Sequence, residues 1–297
     1  MNVKQFNPEY DFEIFGATYL ESPRPNSVLF IGKKIASNMV HLEKAHQCLV
    51  FVEDGVDVPE HYRKYNCIQF SPNPSRDYAI VASMIWEERQ GSNKNRTYNL
   101  AKEGYWYGEN VQIGKNVKIQ PGSFIDHDVI IGEGSTILSG ARISNTILGA
   151  GCIIKQNAVI GGYGFVMSRD EKNQIIRIPS LGSVVLGAEV EVGSFTTVCC
   201  GTGNDTILED RVKLDDHVHI GHDVHIAHDT ELTAGVIVGG YCRIGENCFI
   251  GINASLRNRI SIGTNVFVGM GAVVTKSFED GITIIGNPAH LLNVENI

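Results

Sequence analysis

From residue 208 to residue 274 an aliphatic side chain stands at every sixth position: Leu208, Leu214, Ile220, Ile226, Leu232, Val238, Ile244, Ile250, Leu256, Ile262, Val268 and Val274. A period of six matches neither the 3.6 of an α-helix nor the 2.0 of a single strand, so the chain must turn at fixed intervals. Three such steps make an eighteen-residue triangular coil, each face sending one aliphatic residue into a shared core. An upstream run, Ile113, Ile119, Ile125, Ile131, Ile137 and Ile143, has the same period. It slips by one at Leu148 and continues through Ile154 and Ile160, which predicts a shortened corner. Register is lost over roughly 161–185, returns at Leu186, Val192 and Val198, and breaks again over 199–207. The two longer breaks predict loops pushed out of the coil, and such loops in a compact repeat are more often functional than accidental.

The predicted fold class is mainly β: a left-handed parallel β-helix over 106–285, preceded by a small α/β domain over 1–105 and followed by a short tail, 286–297. In the N-terminal part, Ser27–Ile31, Cys48–Val52 and Cys67–Phe70 read as buried strands, and Ile35–Ala45, Pro59–Tyr65 and Ser75–Glu88 as helices. Polar Arg89–Glu103, with Gly91, Ser92 and Asn93, reads as a linker. Lys and Arg total 25 against 33 Asp and Glu, and no basic stripe occurs, which argues against a nucleic-acid partner. No apolar run is long enough to span a bilayer. Seven cysteines in no C-x-x-C pattern, and no secretion signal, predict a reducing, cytoplasmic setting. Cys199-Cys200 reads as core or corner packing.

Five of the ten histidines fall within twelve residues: His217, His219, His222, His225 and His228. The ladder separates them, because residues six apart lie on different faces, and a metal needs convergent ligands. Most therefore read as solvated or inter-subunit surface. His222 differs: Gly221 precedes it in a corner and Asp223 follows it. An imidazole held by a carboxylate is suited to take a proton near neutral pH. Eighteen residues, one coil, beyond His222 is Gly240, whose N–H is a candidate oxyanion donor, although Gly239-Gly240 reads equally as a corner turn.

Several segments carry a resemblance. Ile160-Gly161-Gly162-Tyr163-Gly164-Phe165, Arg177-Ile178-Pro179-Ser180-Leu181-Gly182, Val212-Lys213-Leu214-Asp215-Asp216 and Ile220-Gly221-His222-Asp223 are similar to elements of the UDP-3-O-acylglucosamine N-acyltransferases of lipid A synthesis. Asn26-Ser27-Val28-Leu29-Phe30 resembles the start of that family's uridine-binding domain. The resemblance covers about residues 25–280. It implies a homotrimer with active sites between neighbouring prisms, and His222 as general base. It also implies a nucleotide sugar and an acyl thioester as substrates, with no permanently bound cofactor. On the acceptor side it points to Phe30, Gly164, Phe165, Asp215 and Arg259.

The chain departs from that pattern. Lys33 and Ala36 stand where the family has an Asn and a Tyr that serve uracil, and Arg259 replaces a second histidine. A C-terminal helical extension is missing. Instead, Gly271-Ala272-Val273-Val274-Thr275-Lys276 and Ile285-Gly286-Asn287-Pro288-Ala289 resemble acetyl-CoA-dependent transferases acting on nucleotide-linked amino sugars, whose His-Asp or His-Glu pair is also similar to His222-Asp223. That likeness assigns Lys276, Asn287 and Pro288 to the distal part of acyl-CoA; Lys276 reads equally as a solvated charge. His217 and His222 have the H-x4-H spacing of γ-class carbonic anhydrases, but no histidine between 128 and 216 supplies a third ligand, so no metal is assigned. The leading expectation is a sugar-nucleotide N-acyltransferase using acyl-CoA. The alternatives are the lipid A enzyme itself with acyl carrier protein as donor, O-acyl transfer, and a non-catalytic β-helical binding module.

Overall fold

The computed structural model describes residues 1–291; of the predicted tail, 292–297 lie outside the described residues. Short strands recur every six residues and stack in parallel on three faces, as the ladder predicts for a left-handed parallel β-helix. One face, here face I, contains Arg142–Ile143, Val159–Tyr163, Thr197–Cys200, His219–Ile220, Ile237–Val238, Ser255–Leu256 and Val273–Val274. Its register is eighteen residues per coil: Ile220 pairs with Val238, Val238 with Leu256, and Leu256 with Val274. Every member of the twelve-residue ladder is at most 3% exposed. Burying each such side chain is worth about 1.5–3 kcal/mol, which makes the ladder the main source of cohesion. Two expected core residues at the start of the coil are exceptions: Ile119 is only partly buried and Ile113 is 42% exposed. It lies in the last strand of its sheet, where no further coil covers it.

Each regular corner ends in a left-handed residue three positions after the ladder residue. Asn and Asp dominate there, as at Asp229, Asn247, Asn253 and Asn265, because a short polar side chain tolerates positive φ. The irregular corners all follow face I. After Ile143 only Ser144 and Asn145 intervene before the next strand, Thr146–Leu148, which is the shortened corner. After Tyr163 the chain does not rejoin the coil until Val184, and after Cys200 it makes a five-residue excursion before Thr206. The second break is shorter than the pattern suggested, because Cys199 and Cys200 still pair with Gly162 and Tyr163. The next corner above these in the same column is Gly221-His222-Asp223.

The N-terminal unit comprises Met1–Asn95 together with Phe165–Gly182 and Thr202–Asn204. Its four parallel strands lie in the order Gly16–Ala17, Ser27–Ile31, Leu49–Glu53, Cys67–Ser71. Both faces of the sheet are covered, which explains why its strands read as continuous apolar runs. Val28, Leu49, Phe51 and Cys67 pack with Tyr78, Val81 and Ile85 of the helix Pro74–Asn93. Leu29, Val50, Val52 and Ile68 pack with Met39, Leu42 and Tyr62. The segments Lys33–Lys44 and Glu60–Lys64 are helical as expected but of 3-10 type. The helix Pro74–Asn93 corrects the linker reading of 89–103. It is started by the Asn73 side chain, which accepts from the Arg76 N–H, and it runs through Gly91. A glycine in a final turn costs a helix only about 1 kcal/mol, too little to end one already packed. The excursion 165–182 forms a hairpin, Met167–Arg169 against Ile175–Arg177, and sends Ile178 and Leu181 into the core around Tyr78. Asn204 accepts a 2.9 Å bond from the Thr18 hydroxyl.

Candidate active site

The eighteen-residue register puts His222, Gly240, Asn258 and Lys276 in one column along the corner after face I. At about 4.8 Å between stacked strands, Lys276 lies about 14 Å along the prism from His222. The next position in each corner, the left-handed one, holds Asp223, Tyr241 and Arg259, with φ of 58°, 64° and 63°.

His222 is held on several sides. Its Nδ1 lies 2.8 Å from Asp223 Oδ2. An ionised carboxylate only accepts, so Nδ1 is the donor in this contact, and in the neutral ring Nε2 is the nitrogen that holds the lone pair. Asp223 is 2% exposed; its N–H donates to Thr206 Oγ1 at 2.8 Å and its carbonyl accepts from Arg243 at 2.8 Å. Gly164, the last β-helix residue before the excursion, packs under the ring: a Cβ there would stand 2.7 Å from His222 Cβ. On the other side a Cβ at Gly240 would stand 2.5 Å from His222 Nε2. These two glycines are required by close approach, and Gly240 in particular leaves Nε2 open. Among the described residues the Gly240 N–H has no intramolecular acceptor.

Tyr241 is a site residue that the sequence reading overlooked. Its ring stands perpendicular to that of His222, centroids 4.8 Å apart, and the Arg259 guanidinium sits 3.9 Å from its centroid. A left-handed tyrosine costs about 1–2 kcal/mol of backbone strain. An exposed cation–π pair returns about 0.5–1 kcal/mol, so the contact with Arg259 offsets only part of it. The corner rule supplies the missed signal, because Asn, Asp or Gly is the ordinary occupant of that position. Glu189, Phe195, Arg211, His217 and Arg259 also depart from that rule, and the rings of Phe195 and His217, with φ of 57° and 60°, stack at 5.3 Å.

The other clustered histidines go elsewhere, as the ladder requires. His219 points outward from face I, and burial, then the neighbouring His222, hold its imidazole below the ordinary value. His225 Nε2 pairs with Glu209 at 2.7 Å. His228 forms a second His-Asp corner, with Asp229 Oδ2 2.8 Å from Nδ1 and Glu246 Oε2 2.7 Å from Nε2. The Asp229 hydrogen bond, with the nearby carboxylates adding, raises His228 above the ordinary imidazole range. Arg211, bonded to Asp229 through Nε at 2.6 Å and its terminal nitrogen at 2.7 Å, is the main reason that carboxyl is held far below its usual range. An open depression of about 360 Å³ lies against Glu209, Arg211 and His228, away from the His222 corner. Among the described residues no group of three or more His, Cys, Asp or Glu side chains could hold a metal ion.

The remaining expected residues fall into two sets. Lys276 is exposed, with Nζ 5.3 Å from the Phe278 ring centroid. Asn287 and Pro288 are exposed in a turn tied to the last strand of face I by Val273 N to Gly286 O and Ala289 N to Val273 O. Asp215 is exposed on the corner after the third face, so a single chain does not bring it to His222. Phe30 and Phe165 belong to the N-terminal unit. Phe30 is half-buried, its ring 5.2 Å from that of Tyr78, and Phe165 is 80% exposed with Arg177 over it at 5.7 Å. Lys33, where the resemblance would place an asparagine, donates its backbone N–H to Glu53 at 2.8 Å. The seven cysteines are buried and none forms a disulfide, and no described helix is long and apolar enough to cross a membrane.

Residues 110–145 and 241–276 match the family described as Bacterial transferase hexapeptide (six repeats). A UDP-3-O-acylglucosamine N-acyltransferase of Pseudoalteromonas translucida (strain TAC 125) is 43% identical over 65 residues, 22% of this chain and 19% of that protein. A UDP-3-O-acylglucosamine N-acyltransferase of Coxiella burnetii (strain Dugway 5J108-111) is 36% identical over 126 residues, 36% of this chain and 37% of that one. The chain thus spans well under half the length of these relatives. The solved UDP-N-acetylglucosamine acyltransferase from Campylobacter jejuni aligns with a TM-score of 0.58 at 19% identity, over 66% of this chain and 75% of that chain, a likeness of fold. The chain therefore carries hexapeptide repeats and resembles the acyltransferases built from them.

Proposed function

We propose that this chain is an N-acyltransferase, moving an acetyl or short hydroxyacyl group from acyl-CoA to the amine of a nucleotide-linked amino sugar. The observation that carries the reading is the His222 corner. Its buried carboxylate accepts a hydrogen bond from Nδ1, and Nε2 lies beside Gly240, where a side chain would cover it. In this reading the amine nitrogen attacks the thioester carbonyl carbon while His222 Nε2 takes its proton. Asp223 orients the ring and favours its charged form. The Gly240 N–H, which has no acceptor among the described residues, donates to the developing oxyanion. Collapse breaks the C–S bond, and the imidazolium returns the proton to the departing thiolate. Lys276, Asn287 and Pro288 serve the distal end of the donor. Gly164, Asp215 and Arg259 serve the acceptor, and Phe30 and Phe165 are its candidates in the N-terminal unit. A homotrimer would supply Asp215 from a neighbouring copy, since one chain leaves it on a different corner. The cytoplasm, where acyl-CoA is made, is the expected setting.

The names of the relatives favour a second reading, N-acylation of UDP-3-O-acylglucosamine, in which acyl carrier protein would be the donor. Lys33, Ala36 and Arg259 weigh against it. A screen of acetyl-CoA and hydroxyacyl thioesters on CoA and on carrier protein, against UDP- and dTDP-linked amino sugars, separates the two. Turnover with acetyl-CoA and a simple amino-sugar nucleotide supports the first reading. Turnover confined to hydroxyacyl carrier protein and the 3-O-acylated sugar replaces it with the second. No transfer across the whole grid would leave a binding module.

A further inference from the structure

We propose that Tyr241 is the positioning residue of His222: its ring fixes the imidazole in the one orientation that faces Nδ1 to Asp223 and leaves Nε2 beside Gly240. Three observations converge. The Tyr241 ring stands perpendicular to the imidazole at 4.8 Å. Arg259 lies 3.9 Å from the same ring centroid, so the tyrosine is itself held in place. And Tyr241 occupies a left-handed corner position at φ 64°, where Asn, Asp or Gly is the commonest occupant and only Phe195, His217 and Tyr241 carry rings. Bulky residues kept in that region point to a function outside the corner itself.

The surroundings of His222 show why a further contact is needed. Gly164 and Gly240, whose backbones lie close against the imidazole, have no side chains. They admit the imidazole but offer little to stop its rotation about the Cβ–Cγ bond. A half-turn would exchange ring edges, moving Nε2 away from Gly240 and leaving the Asp223 carboxylate without its Nδ1 donor. Asp223 resists that turn with one hydrogen bond, and Tyr241 resists it with a ring.

Tyr241→Asn provides a test that separates positioning from stability. Asparagine relieves the left-handed strain, so a purely structural tyrosine predicts an intact or more stable protein with an unchanged His222. The proposal predicts the same thermal stability with a disordered imidazole. Nitrogen-15 NMR of the histidine-labelled full chain, with the His222 signals assigned by their loss in His222→Gln, reads the ring tautomer directly. In the wild type a single Nδ1–H tautomer is expected. In Tyr241→Asn a mixture of tautomers is expected, and Tyr241→Phe should restore the single form. A single Nδ1–H tautomer in Tyr241→Asn would overturn the proposal, and so would a mixture in Tyr241→Phe. The effect on turnover rests on the reading of His222 as base: kcat of Tyr241→Asn should fall about tenfold with KM within about twofold. The NMR readout needs no substrate. If His222→Ala retained full turnover, the base assignment would fail while the tautomer measurement still decided the role of Tyr241.

Discussion

Two consecutive corners of one coil carry a histidine followed by an aspartate, six residues apart, and the structure makes opposite things of them. At His222 the aspartate is 2% exposed, the imidazole 12%, and only Nδ1 has a carboxylate. At His228 the pair is 34% and 40% exposed, both ring nitrogens face carboxylates, and Arg211 grips the aspartate from the other side. An imidazole donating from both nitrogens is a cation with no lone pair, so the His228 corner is an ion-pair network. The His222 corner leaves Nε2 without a carboxylate among the described residues. The difference comes from the neighbouring coil. Eighteen residues after His222 stands Gly240; eighteen after His228 stands Glu246. The local motif is shared, and the residue stacked upon it decides whether the histidine can act as a base.

The largest expected effect tests that contrast directly. His222→Ala should lower turnover by about 10²–10⁴ with a competent donor and acceptor, the range for losing a general base. His228→Ala should leave turnover within about threefold, and equal losses at the two corners would abolish the distinction. Gly240→Ala comes next. Its added methyl would stand 2.5 Å from Nε2, so it must displace the ring or block it. A fall in kcat of about 10–10² is expected, within the range of a displaced general base, because the methyl crowds Nε2 while the backbone N–H is kept. Circular dichroism should be unchanged. Asp223→Asn should fall in the same range or slightly below, because an amide can present its NH2 to Nδ1 and favour the wrong tautomer. Asp229→Asn should not change turnover, and a loss there matching that at Asp223 would mean both corners act.

Much of this contrast was legible in the residues, because a strict period converts sequence distance into position. The ladder predicted twelve core residues, and its count of eighteen placed Gly240 against His222. It failed where the repeat has no neighbour, at Ile113 on the last strand of its sheet, since periodicity carries no information about ends. It also gave nothing for residues 89–93, where a helix packed against a sheet overrode the local preference of Gly91 and Ser92. Tyr241 was missed for another reason. The reading followed the inward residues and the outermost corner residue, while Tyr241 sits at the next position, whose left-handed backbone is visible only once the corners are built. At that position most corners hold asparagine, aspartate or glycine; Tyr241, Phe195 and His217 are the rings among them, beside Glu189, Arg211 and Arg259.

The smallest effect concerns stability, and pH isolates it. His228 has its folded-state value raised, so the stability it contributes is fully present below the unfolded imidazole value of about 6.5 and is lost as pH rises through the higher folded value. Asp229 has its value depressed, so its contribution is present above about 3.9 and is lost only in strong acid. His219, lowered by burial, works in the opposite sense to His228, favouring the fold as pH rises. Wild-type melting alone would therefore mix the two histidines. The difference in Tm between wild type and His228→Asn removes His219, which is common to both. That difference should be positive but small near pH 5.5, as befits a partly exposed network, and should shrink toward zero by pH 8.5. It should also weaken with added salt, whereas the loss of turnover in His222→Ala should not recover at any pH or ionic strength. A difference that grew between pH 5.5 and 8.5 would mean that His228 folds as the neutral ring, and the contrast between the two corners would then rest on Gly240 alone.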